Sequence, residues 1–218
     1  MDEMLAALAA DFKGYEHIQE LCKGTHKYGN DDDDVNAITS HMLTFIADEI
    51  ERYHSKFGQM TPGILPVSGN TPFGQDVGAL PSGRNAGKPL ADGISPNGGT
   101  DKEGPAAVIK SVSSIPHSRY VQGTLLNMKL EPDMVKTENG IQQLMALLRS
   151  LCTLDVYHVQ FNVIDRETLL AAQKTPENYR GLLVRVAGYT AYFTELGKEV
   201  QDEIIARTAQ SNFCGCCS

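Results

Sequence analysis

Four stretches of the chain hold residue types that can do chemistry. One is Arg185-Val186-Ala187-Gly188-Tyr189-Thr190-Ala191-Tyr192-Phe193, entered from the apolar run Gly181-Leu182-Leu183-Val184 and followed by a polar helix. A glycine there serves a strand-ending turn, and it equally leaves a backbone α-carbon free of any side chain. The local pattern leaves both readings open. A second stretch is Asp31-Asp32-Asp33-Asp34, just before a helical run. Acids at that position cap free N–H groups and complement the helix dipole. Adjacent side chains on a helix start diverge, so they do not converge on one cation, and the acids read as a cap. Gly98-Gly99 suggests a phosphate loop. The chain lacks G-x-x-x-x-G-K-[ST], and no G-x-G-x-x-G follows a strand, which argues against a nucleotide site. The fourth stretch is Cys214-Gly215-Cys216-Cys217, a C-x-C-C that could hold zinc or another soft metal ion. Its three thiols have no nearby histidine, and the plainer reading is an unstructured tail or an altered reading frame.

These residues need elements to position them. Residues 1–57 read as a helical segment. Leu5, Leu8 and Phe12 share one face, and Val35, Ile38, Met42, Phe45, Ile46 and Ile50 form a longer stripe at helical period. Residues 58–105 hold most of the glycines and prolines and read as a long succession of turns. Residues 106–213 read as an ordered domain. Ala106 to Ile115 fits helix or strand. Gly123 to Leu130 alternates like a strand, Ile141 to Leu151 is an amphipathic helix, and Tyr157 to Ile164 is a strand by composition. A short helix over 166–174, a third strand over Leu182 to Val186 and a last helix over Lys198 to Arg207 complete it. Strands alternating with helices predict an α/β design with mainly parallel strands. Residues 214–218 form a separate Cys-rich tail.

With 218 residues and 41% apolar content, the chain can build a core of its own. A net charge of −8 argues against nucleic-acid partners, which need a basic face. No apolar run reaches the length of a membrane span, and the acidic start Met1-Asp2-Glu3-Met4 is unlike a signal peptide. Together these predict a cytoplasmic protein without a membrane partner. An odd number of cysteines, three of the five in the tail, is not a disulfide framework. Cys22 and Cys152 read as packed thiols.

Five ordered segments carry a family resemblance: Tyr28-Gly29-Asn30-Asp31-Asp32-Asp33, Pro89 to Pro96 with Gly99 to Pro105, Gly123-Thr124-Leu125-Leu126-Asn127, His158-Val159-Gln160-Phe161-Asn162-Val163, and the Gly188 loop. In this order they resemble the C-terminal region of the glycyl radical enzymes, the superfamily of pyruvate formate-lyase. The resemblance covers nearly the whole chain to about Phe213. It implies a fold that is the C-terminal part of a ten-stranded α/β barrel. It implies that Gly188 stores an unpaired electron on its α-carbon, with Arg185, Val186, Ala187 and Tyr189 positioning the loop. Glycine suits that task because a radical shared between amide nitrogen and carbonyl must be planar, and a Cβ would crowd it. The loop would be exposed for activation and buried, shielded from oxygen, for catalysis. No bound cofactor is implied: a radical S-adenosylmethionine activase would install the radical as a modification. Ala187 resembles the branch of diol, hydroxyproline and choline lyases, where closer kin of pyruvate formate-lyase carry serine. That favours a dehydratase or C–X lyase of a small polar substrate over a formate C-acetyltransferase-like acyltransferase. Ser68, Asn70, Thr71 and Phe73 would form part of the substrate pocket.

The chain also departs from the family. The thiyl-forming cysteine, normally in a Cys-x-Glu motif upstream, is absent from these 218 residues. The resemblance thus implies the C-terminal third of a longer enzyme, inactive alone and completed by the rest of the parent or by a homodimer. A stand-alone spare-part protein that restores the radical of a damaged parent is a second reading. A metal or redox module built on the cysteine tail is a third. An isolated piece of a barrel would expose sheet edges and apolar surface.

Overall fold

The computed structural model describes residues 1–65 and 67–213. Three helices open the chain: α1 (Asp2–Ala9), α2 (Glu16–Gly24) and α3 (Asp33–Glu51). Ala7, Phe12, Ile18 and Cys22 close a small apolar cluster between the first two, so Cys22 is packed as expected. At the head of α3, Asp32 accepts from the Val35 amide at 2.9 Å. Asp33 and Asp34 fill the first turn, while Asp31 turns away to Lys110 at 2.8 Å. The four acids are a cap with a neighbouring ion pair.

A short antiparallel pair follows, β1 (His54–Ser55) with β2 (Gly58–Gln59). The Gly/Pro-rich stretch then contains a helix, α4 (Asn70–Asp76), where the sequence suggests turns throughout. Much of this stretch is gathered by Arg84. Its buried guanidinium donates to the carbonyls of Gly74 at 2.6 Å, Gly78 at 2.8 Å and Pro89 at 3.3 Å. Such a fork satisfies carbonyls that no ladder reaches.

Ala106 to Ile115, open between helix and strand, folds as α5 (Pro105–Val112), with proline in the first turn where its missing N–H costs nothing. Then come β3 (Leu126–Leu130), α6 (Glu138–Thr153), β4 (Val159–Val163) and α7 (Arg166–Lys174). Thr137 and Asp165 cap α6 and α7 through the amides of Gly140 and Thr168. After these lie β5 (Leu183–Arg185), β6 (Thr190–Tyr192), α8 (Lys198–Ala206) and β7 (Ala209–Gln210).

Strands β4, β3 and β7 form a parallel sheet in that order. Leu126, Met128 and Leu130 point to one face and pack with Val108, Ile109, Val112, Leu147 and Leu151 of α5 and α6. The other residues of the period-two pattern, Asn127 and Lys129, lie in register with Gln160 and Asn162. All four are buried polar side chains. A second apolar cluster joins Leu169 of α7, Val184 and Val186, Phe193, and Ile204 and Ile205 of α8.

Two expectations change, and a third observation fits one already stated. The run after Gly188 folds as β6 and returns antiparallel to β5 as a hairpin, outside the parallel sheet. Cys152 is exposed, because the buried side of α6 is set by Leu147 and Leu151 and the neighbouring position turns away. The apolar stripes do not all face the core. Ile38, Met42, Phe45 and Ile46 of α3 and Ile141, Met145 and Leu148 of α6 are exposed. That apolar surface is what a portion of a barrel is expected to present.

Candidate functional site

Gly188 lies at the tip of the β5–β6 hairpin. The Val186 amide donates to the Tyr189 carbonyl at 3.0 Å, leaving Ala187 and Gly188 beyond the last pair. Gly188 has φ of +87°, a left-handed backbone that glycine adopts without strain. Space is not what demands glycine here. A Cβ added at Gly188 would meet Leu65 Cδ1 at 3.6 Å, ordinary contact, and nothing nearer. Val186 and Ala187 are buried, whereas Gly188 and Tyr189 are exposed. The shielded glycine expected for a catalytic state is therefore not what this chain shows.

The hairpin is tied to the sheet by side chains. Asn162 of β4 donates from Nδ2 to the Arg185 carbonyl and accepts at Oδ1 from the Arg185 amide, both at 2.8 Å. One side-chain amide thus supplies the donor and the acceptor that a neighbouring strand would. Two residues earlier on the same face, Gln160 Oε1 accepts from the Gly188 amide at 3.2 Å. Arg185 reaches across the hairpin to Thr190 Oγ1 at 2.6 Å.

Arg207, just past α8, holds the same loop from the other side. It donates to the Arg185 carbonyl at 3.3 Å and the Val186 carbonyl at 2.9 Å. Its charge is met by Glu203 at 2.9 Å and Asp92 at 3.2 Å, with all three side chains nearly buried. Asp92 also accepts from Nδ2 of the Asn127 side chain. Burial pushes the Asp92 carboxyl up to about 6, and the Arg207 charge opposes that rise without cancelling it. Lys129 donates to the Ile205 carbonyl at 3.2 Å, and burial lowers its pKa. A cavity of about 320 Å³ opens beside this cluster, lined by Arg84, Asp92, Asn127, Lys129, Glu203 and Arg207 among others.

The sequence-expected pocket residues lie elsewhere. Asn70 and Thr71 are buried in the first turn of α4, where Asn70 exchanges backbone and side-chain bonds with Leu90. Ser68 precedes that helix, and Phe73 is exposed. None of the four lines the cavity, and the residue of this region that reaches Gly188 is Leu65. Gln160, Asn162 and Arg207, which hold the loop, and Asp92 beside Arg207 are side chains that residue-by-residue reading passes over. Their signal was present: Gln160 and Asn162 are polar at alternate positions of an apolar strand. Among the described residues no group of three His, Cys, Asp or Glu is placed to hold a metal ion, and no helix is long and apolar enough to cross a membrane. Cys214, Cys216 and Cys217 lie outside the described residues.

Comparison with known proteins matches residues 90–194 to the glycine radical family and residues 1–74 to the pyruvate formate lyase-like family. The chain is 45% identical to a probable dehydratase of Escherichia coli (strain K12), over 94% of this chain and 27% of that protein. It is 43% identical to trans-4-hydroxy-L-proline dehydratase of Clostridioides difficile, over 97% of this chain and 27% of that protein. Its fold matches the glycerol-bound B12-independent glycerol dehydratase of Clostridium butyricum with a TM-score of 0.93. The two are 45% identical, and the match covers 96% of this chain and 27% of that one. The chain thus spans 27% of the length of each of these relatives.

Proposed function

Because the chain belongs to the glycyl radical enzymes, we propose that Gly188 is the residue that stores their unpaired electron, in the service of a dehydratase or C–X lyase. The observation that carries this reading is the placement of Gly188. Its α-carbon is exposed at a hairpin tip, inside the matched radical region, while the base of the hairpin is fastened by Asn162 and Arg207.

Activation breaks one Cα–H bond homolytically, and the hydrogen atom leaves with an activating enzyme of the radical S-adenosylmethionine class. The remaining electron is shared with the amide nitrogen and the carbonyl. Transfer to substrate runs through a cysteine thiol, which gives its hydrogen atom back to Gly188 and becomes the thiyl radical. Cys22, buried between α1 and α2, and Cys152, exposed on α6, both stand outside any Cys-x-Glu motif of the kind that carries the family's thiyl cysteine. The thiol and most of the substrate pocket would come from the rest of the parent enzyme or from a partner copy. The chain alone would hold a radical without turnover.

Arg185, Val186, Ala187 and Tyr189 set the loop's shape, and Asn70, Thr71, Phe73 and Ser68 would contribute to one wall of the completed pocket. Relatives that are dehydratases favour elimination from a small polar substrate over acyl transfer. A cytoplasmic setting is part of this reading, and the negative charge fits it.

The test is anaerobic incubation with a cognate activase, followed by electron paramagnetic resonance. A doublet that disappears in Gly188→Ala, and cleavage at position 188 on exposure to air, are expected. A doublet that survives in Gly188→Ala, or neither signal nor cleavage with an activase competent on a related enzyme, would overturn the reading.

A further inference from the structure

We propose that Gln160 is a positioning residue that tunes the radical site through its hydrogen bond to the Gly188 amide, a role that rests on the assignment of the radical to Gly188. A backbone N–H can only donate, so the Gln160 carbonyl oxygen must face Gly188. That fixes the amide's other end: Gln160 Nε2 faces His158 Nε2 at 3.3 Å, which makes this imidazole nitrogen the acceptor. Both bonds hold the side chain in one orientation, and Gln160 is 4% exposed. The loop tip is exposed, yet its amide is bonded to a buried, fixed acceptor.

The chemistry follows from where the spin goes. A glycyl radical is stabilised from two sides: the nitrogen lone pair donates into the half-filled orbital while the carbonyl withdraws from it. An acceptor on the N–H draws the proton outward and leaves more electron density on nitrogen, so the donating arm strengthens. Spin then moves from the α-carbon toward nitrogen. The same bond restricts the tip to a single orientation relative to β4, where Gln160 stands in register with Asn127. Asn162 two residues on fixes the loop's root, so one strand face sets both root and tip.

Two readouts test this on the full chain. The first needs no radical. The Gly188 amide should exchange with deuterium roughly tenfold faster in Gln160→Leu than in the unaltered chain, and close to the original rate in Gln160→Glu, which keeps an acceptor. The second follows activation. The doublet of Gln160→Leu should show a wider α-hydrogen splitting, because more spin remains on carbon, and Gln160→Glu should restore the narrower one. Should Gln160→Leu fail to fold by circular dichroism, Gln160→Asn, which withdraws the oxygen by one methylene, takes its place. Identical splittings across activated variants would overturn the tuning role and leave the Gly188 assignment standing. Equal exchange rates would overturn the hydrogen bond itself. An unaltered chain that never yields a Gly188 doublet would remove the assignment, and the tuning role with it.

Discussion

Arg207 donates to the Val186 carbonyl at 2.9 Å while the same guanidinium lies against Glu203 and Asp92. One cation therefore closes the hairpin and neutralises two nearly buried carboxylates. Removing it leaves two carboxylates without their cation and the Val186 carbonyl without this donor, while the Arg185 carbonyl keeps Asn162. Arg207→Ala should lower the unfolding free energy by about 3–5 kcal/mol, the usual cost of stranding a buried ion-pair partner. Urea titration measures the loss, and a midpoint unchanged from the unaltered chain would contradict the arrangement.

Asp92 should give the protein a distinctive pH dependence. Its carboxyl sits at about 6 when folded, above its ordinary value, so the folded chain binds this proton more readily than the unfolded one. Stability from this group therefore rises as pH falls through 6 toward the ordinary carboxylate range, and levels off below it. The slope is at most about 1.4 kcal/mol per pH unit in that window. Asp92→Asn should flatten it. Unfolding curves for both proteins between pH 7 and pH 4 decide the matter, and equal slopes would assign the dependence to other groups.

Asn162 holds Arg185 by two bonds, so Asn162→Ala should cost about 2 kcal/mol locally. The loss should appear as faster amide exchange over residues 183–192, with little change at Leu126 to Leu130. Uniform acceleration across the sheet would mean that Asn162 supports the whole fold rather than the hairpin.

Glycine substitutions should separate space from backbone. At Gly188 a Cβ meets nothing closer than 3.6 Å, so Gly188→Ala should pay only conformational strain of about 1 kcal/mol and fold normally. At Gly93, also at positive φ, a Cβ would collide with the Leu125 carbonyl, and Gly93→Ala should cost several times as much. Thermal melts of the two variants compare them directly. Similar melting temperatures would refute the distinction.

The exposed stripe on α3 yields a prediction about association. Met42→Glu with Phe45→Glu should change stability by less than about 0.5 kcal/mol per site, because both side chains are about half exposed. The same pair should reduce self-association, read by sedimentation. Strong destabilisation would mean that the stripe is covered within the chain.

The sequence made the local elements legible. Helical period marked α3 and α6, alternation marked β3, composition marked β4, and the acids before α3 announced its cap. Gly188 stood out for its flanks and for the ordered segments around it. What the sequence could not display was pairing across distance. Gln160 meets Gly188 because β4 stands beside the hairpin, 28 positions apart in the chain. Arg207 reads as the end of a polar helix until its guanidinium is seen under the loop. Helical period likewise says that a stripe is apolar without saying which partner covers it, and Ile38 and Ile141 are exposed in this chain.

The Asn162 latch bears on how the hairpin can move. Strands β3, β4 and β7 are stitched to one another by backbone ladders, but β5 and β6 join that fabric through amide and guanidinium side chains and through an apolar cluster shared with α7 and α8. Releasing the tip therefore means undoing a few replaceable fasteners, with every rung of the parallel sheet left in place. The glycine rides on a detachable fitting, and the strength of each fastener is a dial that a single substitution can turn.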